Sequence, residues 1–478
     1  MGGMKADSCG SPRYLEGEMS PNVRQVFKRV SAYLSMPKRA SRKSRKSARR
    51  SHNVEVDHTV GELFLHGLSS VVGLGILIIP LFLVIIYGVL SVYIAAAAGF
   101  IALWIALLIY DVSITHSHDP YNFLKATSGR EYAFIFGFLL LISLIITTTV
   151  AGVASVGELS LFFNINVYSA IGIVDVVFVI IWAVMFYGKI RKAMNFSGML
   201  KIAFLILLII VGSVIIGMHG VNVLPSALTT LYTSISSTAL SSSSLIVLAI
   251  LLMLWAYGGF ESVSIVYKGE DRTKVAKSIM YVIATAIILF TIVQVLVYAN
   301  SGNWSLSASP VLAFTANILS AGAGGITADV VVGLSIVVIL LVAMSVIKVS
   351  NETIEKMSLD NIMPRGLAGN ENLKLLISAA IPIVILTVFS PFIVSATSAP
   401  FIYLIVIGLS VLPFVAAFLF FAAGYSYHYA KQRDNRRVVL GFLLVLLLLS
   451  IIFLVPFAFL VGLAIIMIIT IVGYAIIR

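Results

Sequence analysis

The sequence is poor in charge and nearly devoid of cysteine. Only 11% of its 478 residues are Asp, Glu, Lys or Arg, against roughly a quarter in a soluble domain. A soluble core could not bury the apolar remainder, because 60% of the residues are hydrophobic and the mean hydropathy is +1.07. The single cysteine, Cys9, excludes a disulfide framework and a thiolate metal cluster. The sequence therefore indicates a protein that is embedded in a lipid bilayer.

Long apolar stretches occupy the chain after residue 58. Most are long enough for a helix to cross a hydrocarbon core, which takes roughly 18 to 20 residues. We predict an all-α polytopic membrane protein with about twelve transmembrane helices. The predicted spans are 60–87, 88–110, 132–158, 167–187, 196–217, 244–267, 278–299, 327–349, 375–391, 398–421, 438–455 and 457–477.

Positive charge is missing from every second loop between these spans. All 32 Lys and Arg residues fall in the N-terminal segment, in alternate loops with their adjoining span ends, or at the last position. The loops between them, including 218–243 and 300–326, contain neither residue. Because cytoplasmic loops carry the Lys and Arg excess, we predict a multi-pass protein of the cell membrane with both termini in the cytoplasm.

Two predicted spans contain helix-breaking residues near mid-membrane. Residues 69–75 combine two serines with Gly73 and Gly75, and the sixth span contains Gly258 and Gly259. Unwound backbone survives in a bilayer only where it lines a cavity or lies inside protein. The breaks stand in corresponding places of spans 1–5 and 6–10, which predicts a 5+5 inverted repeat with broken helices 1 and 6. For either motif alone, close helix packing is the alternative.

The pair of breaks predicts a receptor for a zwitterion. The N–H groups at the start of a half-helix suit a carboxylate, and the free carbonyls ending the preceding half-helix suit an ammonium. Ser143, Thr147, Thr148 and Thr149 of the third span offer hydroxyl groups to such a pocket. No acidic or basic side chain clearly faces the breaks at mid-depth, so a neutral amino acid is the default substrate.

Several motifs resemble, in the same order, those of the amino acid, polyamine and organocation transporter superfamily, which has a leucine-transporter-type fold. SSVVGLGILIIP resembles the GxG motif of its first helix, and LWAYGGFESVSIVYKGEDR resembles the sixth helix of the arginine/agmatine antiporter group. IYDVSITHSHDPYNFLKATSG and SLDNIMPRGLA resemble the segments after helices 2 and 8. The resemblance covers residues 60 to about 420 and implies amino acid transport.

The resemblance also implies roles for individual residues. Backbone N–H groups of residues 73–75 would hold the substrate carboxylate, and carbonyls of Val71, Trp255 and Gly258 would take the ammonium. Trp255 would be an aromatic gate, and Glu261 a proton-sensing carboxylate. The predicted substrate-binding residues are Ser70, Val71, Gly73, Leu74, Gly75, Trp255, Ala256, Tyr257, Gly258 and Gly259, and the predicted gating or coupling residues are Lys201, Glu261 and Ser345.

The prediction of the coupling ion depends on Lys201. It resembles a lysine of many sodium-independent relatives, where a buried ammonium can exchange a proton. A lysine that only extends to the cytoplasmic interface is the alternative. Sodium coupling would need hydroxyl ligands from the eighth span, where Ser335 and Ser345 are the candidates. Glu352 replaces an Arg of the relatives near the end of that span.

The chain divides into a basic tail, 1–58, a ten-helix transporter core, 59–421, and two additional transmembrane helices, 422–478. In the tail, an apolar face precedes eight cations within residues 38–50. We interpret this tail as an amphipathic surface helix on anionic headgroups, with a solvated tail as the alternative. No nucleic-acid partner is expected, since no aromatic residues interleave the cations.

These observations predict a secondary active transporter of amino acids that works by alternating access, coupled to protons or by exchange, as a monomer or homodimer. A sodium-coupled transporter of an organic cation or polyamine is the alternative. A substrate-sensing receptor or a channel on the same scaffold is the alternative class. No HExxH, GxSxG or carboxylate pair stands at membrane depth, so we expect no enzymatic activity, cofactor or metal site.

Ionisable residues elsewhere receive structural interpretations. Asp175, deep in the fourth span, is costly in lipid, and we predict that it pairs helices. His116, His118 and Asp119 form an HxHD motif in a basic loop. We interpret this motif as a solvated loop rather than a metal site.

Overall fold

The computed structural model describes residues 58–116, 119–186, 190–221, 242–266, 271–301, 325–368, 370–389 and 400–477. All regular structure in these ranges is α-helical. In chain order the helices are α1 Val60–Val71, α2 Leu74–Tyr87, α3 Leu90–Thr115, α4 Pro120–Thr127, α5 Arg130–Phe162, α6 Val167–Phe186, α7 Ile190–His219, α8 Ser242–Tyr257, α9 Ser262–Val266, α10 Arg272–Ala299, α11 Gly325–Leu359, α12 Arg365–Ala368, α13 Glu371–Val388, α14 Pro400–Lys431, α15 Asn435–Leu454 and α16 Phe457–Ile477.

Within the described ranges, eight helices are long and apolar enough to cross a membrane. Helices α1 and α2 together would form a ninth span, bent by 48° at their junction. Three apolar segments are shorter, Ser244–Tyr257, Asn372–Val388 and Phe459–Tyr474. The protein is therefore an all-helical, multi-pass membrane protein, and helices occupy each predicted span over the residues described.

The chain separates into two units, Met1–Asp57 and His58–Arg478. The first unit lies outside the described residues, and so does the predicted surface helix of the tail. The second unit contains every helix named above.

Small residues on α3 allow neighbouring helices to pack closely. Ala95, Ala98, Ala102 and Ala106 recur at helical spacing and are fully buried. A Cβ added to Gly99 would lie 3.0 Å from side-chain atoms of both α8 and α10. Helix α10 packs along α3 and against α1, while α5 packs against both α11 and α14. Close helix approach through small residues is typical of proteins in lipid.

The short helix α4 is joined to the end of α11 by two ion pairs. Asp119 accepts a first-turn N–H of α4, and its Oδ2 lies 3.0 Å from Nζ of Lys356, with both side chains buried. Lys125 pairs with Asp360, whose carboxylate also accepts the Tyr121 hydroxyl at 2.9 Å. Burial raises the pKa of Tyr121, and Asp360 raises it further, so this hydroxyl stays a donor. The prediction of a solvated loop is therefore wrong at Asp119.

Asp111, near the end of α3, connects three helices. Its carboxylate accepts the hydroxyls of Tyr425 and Tyr429, both on α14, at 2.8 and 3.1 Å. It also pairs with the guanidinium of Arg437 on α15 at 2.8 Å. The same guanidinium lies over the Tyr429 ring, 4.6 Å from its centroid. One carboxylate thus joins α3, α14 and α15.

Asp175 connects two further helices. Its Oδ2 accepts the hydroxyl of Thr387 at 3.0 Å, which links α6 to α13. A polar contact between helices of this kind stabilises their association in lipid. The contact agrees with the predicted helix-pairing role.

Candidate functional site

Helix α1 gives way to α2 through two extended residues. Val72 and Gly73 leave the helical conformation, and Gly73, with φ −139° and ψ −158°, is the N-cap of α2. No side chain caps the first turn of α2. The N–H groups of this turn therefore lie at the positive end of the helix dipole without a side-chain acceptor.

Helix α8 ends at Tyr257, and the chain turns through residues 258–261 before α9 begins. The N–H of Gly258 donates to the Trp255 carbonyl at 3.0 Å, and the N–H of Gly259 donates to Oε2 of Glu261 at 2.9 Å. Gly259 has a φ of +112°, a conformation that L side chains rarely adopt. The first and the sixth predicted spans are thus both interrupted at the glycines from which the breaks were predicted.

The two interruptions pack directly against each other. A Cβ added to Gly75 would lie 2.4 Å from Cα of Ala256, and one added to Gly259 would lie 2.6 Å from the Ser70 carbonyl oxygen. Neither distance leaves room for a side chain. The glycines therefore allow the two broken helices to approach at backbone distance.

The interruptions border a chamber of about 610 Å³, a volume that includes its open mouth. The residues that line it are Ser70, Val71, Gly73, Gly75, Ser143, Leu144, Thr147, Trp255, Ala256, Gly258, Gly259, Glu261, Val342, Ser345, Val346, Val349 and Phe414. Glu261 is the only ionisable residue among these lining residues.

The chamber brings together most of the predicted substrate-binding residues. Those that line it are Ser70, Val71, Gly73, Gly75, Trp255, Ala256, Gly258 and Gly259. Of the four hydroxyl residues of the third span, Ser143 and Thr147 reach the chamber. Thr148 and Thr149 instead donate to carbonyls of their own helix.

Two predicted substrate-binding residues are placed differently. Leu74 begins α2, but its side chain lies outside the described part of the chain. Tyr257 is fully buried, and its hydroxyl donates to the Ala95 carbonyl of α3 at 3.1 Å. Its ring lies 5.0 Å from that of Phe290, centroid to centroid. Tyr257 therefore contacts the α3–α10 side of the core, and it does not line the chamber.

The predicted coupling residues lie in and beside the chamber. Glu261 and Ser345 line it. Lys201 of α7 does not, but its Nζ donates to the Ser345 hydroxyl at 3.0 Å. Lys201 is only 1% exposed, which differs from a lysine that extends to the membrane interface. Glu352 pairs with Lys348 of its own helix at 2.5 Å.

The apolar wall of the chamber was not among the predicted site residues. Val342, Val346 and Val349 occupy one face of α11 together with Ser345. Helical spacing from Ser345 would have found them, because residues three or four apart share a face. Phe414 of α14 also lines the chamber, and nothing in the sequence distinguishes it from other aromatic residues of that span.

Hydroxyl groups hold the Trp255 indole against α5. Its Nε1 donates to Oγ1 of Thr147 at 3.1 Å, and Thr147 hydrogen-bonds the Ser410 hydroxyl at 2.6 Å. Ser143 in turn donates to the Ser410 carbonyl at 2.8 Å. Since these groups come from α5, α8 and α14, the orientation of the indole is coupled to the packing of three helices.

Replacing Tyr257 by phenylalanine tests whether this residue binds substrate or only packs. Tyr257→Phe removes the donor to the buried Ala95 carbonyl and is expected to lower stability by about 1–2 kcal/mol. Substrate affinity should stay unchanged, because Tyr257 does not line the chamber. Thermal unfolding and substrate binding of the purified protein measure the two effects. A clear loss of affinity with unchanged stability would contradict the packing role.

Comparison with solved structures identifies the type of fold. Two substituted variants of the Eremococcus coleocola manganese transporter are similar to this chain at 14% and 15% identity, each with a TM-score of 0.54. The same transporter in complex with an aromatic bis-isothiourea substituted compound is similar at 15% identity and a TM-score of 0.53. Each alignment covers 87% of this chain and 96% of the other. These likenesses show a leucine-transporter-type fold.

Comparison of sequences identifies the family. No curated protein sequence matches the chain. The profile of the amino acid permease family matches residues 62–477, a range that contains every residue lining the chamber. The chain therefore belongs to the amino acid permease family and is a membrane transporter, not an enzyme.

Proposed function

We propose that this protein is a secondary active transporter that carries neutral amino acids by alternating access, coupled to protons or by exchange. The observation that supports it best is the chamber between two broken helices. The first turn of α2 presents N–H groups suited to the substrate carboxylate, while the ends of α1 and α8 present carbonyls suited to its ammonium. Backbone groups would then bind the part that all amino acids share.

We further propose twelve membrane-crossing helices, with the first ten arranged as a 5+5 inverted repeat. This count adds the bent α1–α2 pair and the three shorter apolar segments to the eight long helices. The contacts of α2 with α8, α3 with α10, α5 with α11 and α6 with α13 support the repeat. They join helices 1 to 6, 2 to 7, 3 to 8 and 4 to 9 in the proposed numbering.

The proposed orientation places both termini in the cytoplasm, because the Lys and Arg residues between the spans lie in alternate loops and the adjoining span ends. Attachment of the basic tail to anionic headgroups, and a monomeric or homodimeric state, stay predictions. Within the family, the motif LWAYGGFESVSIVYKGEDR supports a relation to the arginine/agmatine antiporter group.

The chamber wall supports a neutral substrate. Valine, leucine and phenylalanine side chains and a few hydroxyl groups form most of it. One carboxylate oxygen of Glu261 already accepts the N–H of Gly259. A cationic amine or polyamine, the alternative substrate, would need a carboxylate that is free to pair with it. Thermal shifts with the twenty amino acids, agmatine and polyamines would identify the ligand, since a ligand stabilises the state that it binds.

The Lys201 contact supports proton coupling or exchange rather than sodium coupling. Ser345 is the hydroxyl that a sodium ion beside the chamber would use, and it already accepts from the Lys201 ammonium at 3.0 Å. A sodium ion bound there would meet a positive charge at short range in a medium of low dielectric constant. The ammonium itself satisfies the need for a cation at this position.

Uptake by proteoliposomes with an imposed proton or sodium gradient tests the proposal. We expect saturable uptake driven by the proton gradient, or exchange accelerated by unlabelled substrate inside. Lys201→Ala should abolish proton-driven accumulation, while substrate exchange persists. Lys277→Ala, at an exposed lysine of α10, is the matched control and should behave as the unsubstituted protein.

Other outcomes would identify the alternatives. Sodium-driven accumulation that persists in Lys201→Ala would overturn the coupling proposal. Flux without acceleration by internal substrate would indicate a channel, and binding without flux would indicate a sensor.

A further inference from the structure

Two histidines from distant parts of the sequence face each other beside Asp111. His116 follows the last residue of α3, and His428 lies in the last turn of α14. Their Nε2 atoms are 3.2 Å apart, and their rings are perpendicular with centroids 4.7 Å apart. The side-chain amide nitrogen of Gln432 lies 2.9 Å from the same Nε2 of His428. His116 and Gln432 therefore both approach the Nε2 atom of His428.

Protons alone leave this group poorly paired. A neutral imidazole nitrogen offers either one N–H or one lone pair. The Nε2 of His428 faces both His116 and Gln432, so its single lone pair would have to accept from two donors. If the Gln432 amide is turned so that its oxygen faces His428, the problem is reversed. The single N–H of His428 then faces two acceptors, the amide oxygen and Nε2 of His116. A cation between the groups, with the Gln432 amide turned so that its oxygen faces the cation, would let all three side chains act through lone pairs.

We propose that His116, His428 and Gln432 bind a transition-metal ion such as Zn²⁺, with water completing its coordination. Two ligands on a tetrahedral zinc ion, each bonded at about 2.0–2.1 Å, lie roughly 3.3 Å apart. The two imidazole Nε2 atoms, 3.2 Å apart, are close to this value. The Gln432 amide is within reach, since its nitrogen lies 2.9 Å from Nε2 of His428 and its oxygen can take that place when the amide is turned. Imidazole ligands favour zinc, copper or nickel over calcium or magnesium.

The surroundings hold the two imidazoles in place and leave them accessible. The Phe123 ring lies 5.5 Å from that of His116 and 5.4 Å from that of His428, and the Tyr429 ring lies 5.1 Å from that of His428. Both histidines are partly exposed, so an ion can reach them. The nearby Lys431 ammonium is held over the Tyr427 ring at 4.3 Å.

This site differs from clusters built only of histidine, cysteine and carboxylates. Within the described ranges, no group of three or more such residues is placed to hold a metal ion. Here the third ligand is an amide, and the second histidine is 312 residues from the first. The HxHD motif therefore did not identify it. A bound ion would join the end of α3 to the end of α14.

Zinc titration of the full-length protein, purified without a polyhistidine tag, tests the site. Calorimetry and thermal unfolding with ZnCl₂ should show binding and stabilisation. His116→Ala and His428→Ala should each weaken zinc affinity by roughly 100-fold, and Gln432→His should strengthen it by roughly tenfold, because a third imidazole replaces a weak amide ligand. His58→Ala, at the histidine paired with Glu62, is the matched control and should change nothing.

The Gln432→His variant keeps the test decisive if the alanine variants fold poorly. Zinc affinity that is the same in the unsubstituted protein and both alanine variants would overturn the proposal. So would a folded Gln432→His variant with no gain in zinc affinity. The readout is zinc binding alone and is independent of the transported substrate.

Discussion

Substrate uptake is expected to be lost when Gly75 is replaced by alanine. The added Cβ would lie 2.4 Å from Cα and 2.6 Å from Cβ of Ala256, so helix α2 must move away from α8. Overpacking of this kind costs about 1–3 kcal/mol. The movement also displaces the N–H groups proposed to bind the carboxylate, and a tenfold loss of affinity, about 1.4 kcal/mol, is the expected minimum. Proteoliposome uptake and thermal unfolding measure both effects.

Gly259→Ala, at the other break, should also lower substrate uptake and stability. Its Cβ would lie 2.6 Å from the Ser70 carbonyl oxygen, and its φ of +112° adds backbone strain of about 1–2 kcal/mol. Gly172→Ala is the matched control, because no described atom lies within 4 Å of a Cβ added there. Unchanged uptake and stability in Gly75→Ala would show that the close approach of the two breaks is not needed.

Removing the buried ammonium of Lys356 is expected to be the most destabilising change outside the chamber. Lys356 and Asp119 are 6% and 2% exposed, so Lys356→Met leaves a buried carboxylate without its ion pair. Breaking a buried pair in this way costs about 3–5 kcal/mol. The same change loosens α4 from α11. Thermal unfolding of the purified protein should show a clearly lowered midpoint.

Two variants separate lost pairing from lost packing. Adding Asp119→Asn to Lys356→Met should recover part of the stability, because asparagine still caps α4 and carries no charge. Lys125→Met is the control at a more exposed pair, with Lys125 35% exposed, and should cost about 1 kcal/mol or less. Equal, small effects of Lys356→Met and Lys125→Met would contradict a stabilising role for the buried pair.

The helices and their breaks could be predicted from local sequence. Apolar runs specify helices in lipid, because every backbone polar group must be bonded within its own segment. Residues 69–75, Gly258 and Gly259 predicted the interruptions, since serine and glycine favour helix poorly. Helix α4 was not predicted, although the sequence contains a signal for its start. Asp119 is the N-cap, and Pro120 occupies the first turn.

Contacts between distant segments could not be predicted in the same way. The sequence made Lys201 a candidate coupling residue and left its burial open, and its partner Ser345 is 144 residues away. Phe414 lines the chamber because α14 packs on α5, and His428 meets His116 for a similar reason. Periodicity identifies the face on which a side chain lies and does not identify what lies opposite.

A chain that ended near residue 421 would lose more than two peripheral helices. Helix α14 continues to Lys431, and the hydroxyls of Tyr425 and Tyr429 and the guanidinium of Arg437 all belong to the removed part. Asp111 would keep its negative charge and lose these three donors. The C-terminal segment thus supplies the counter-charge for a residue of α3. A version of this permease that is shortened near residue 421 should therefore also carry Asp111→Asn.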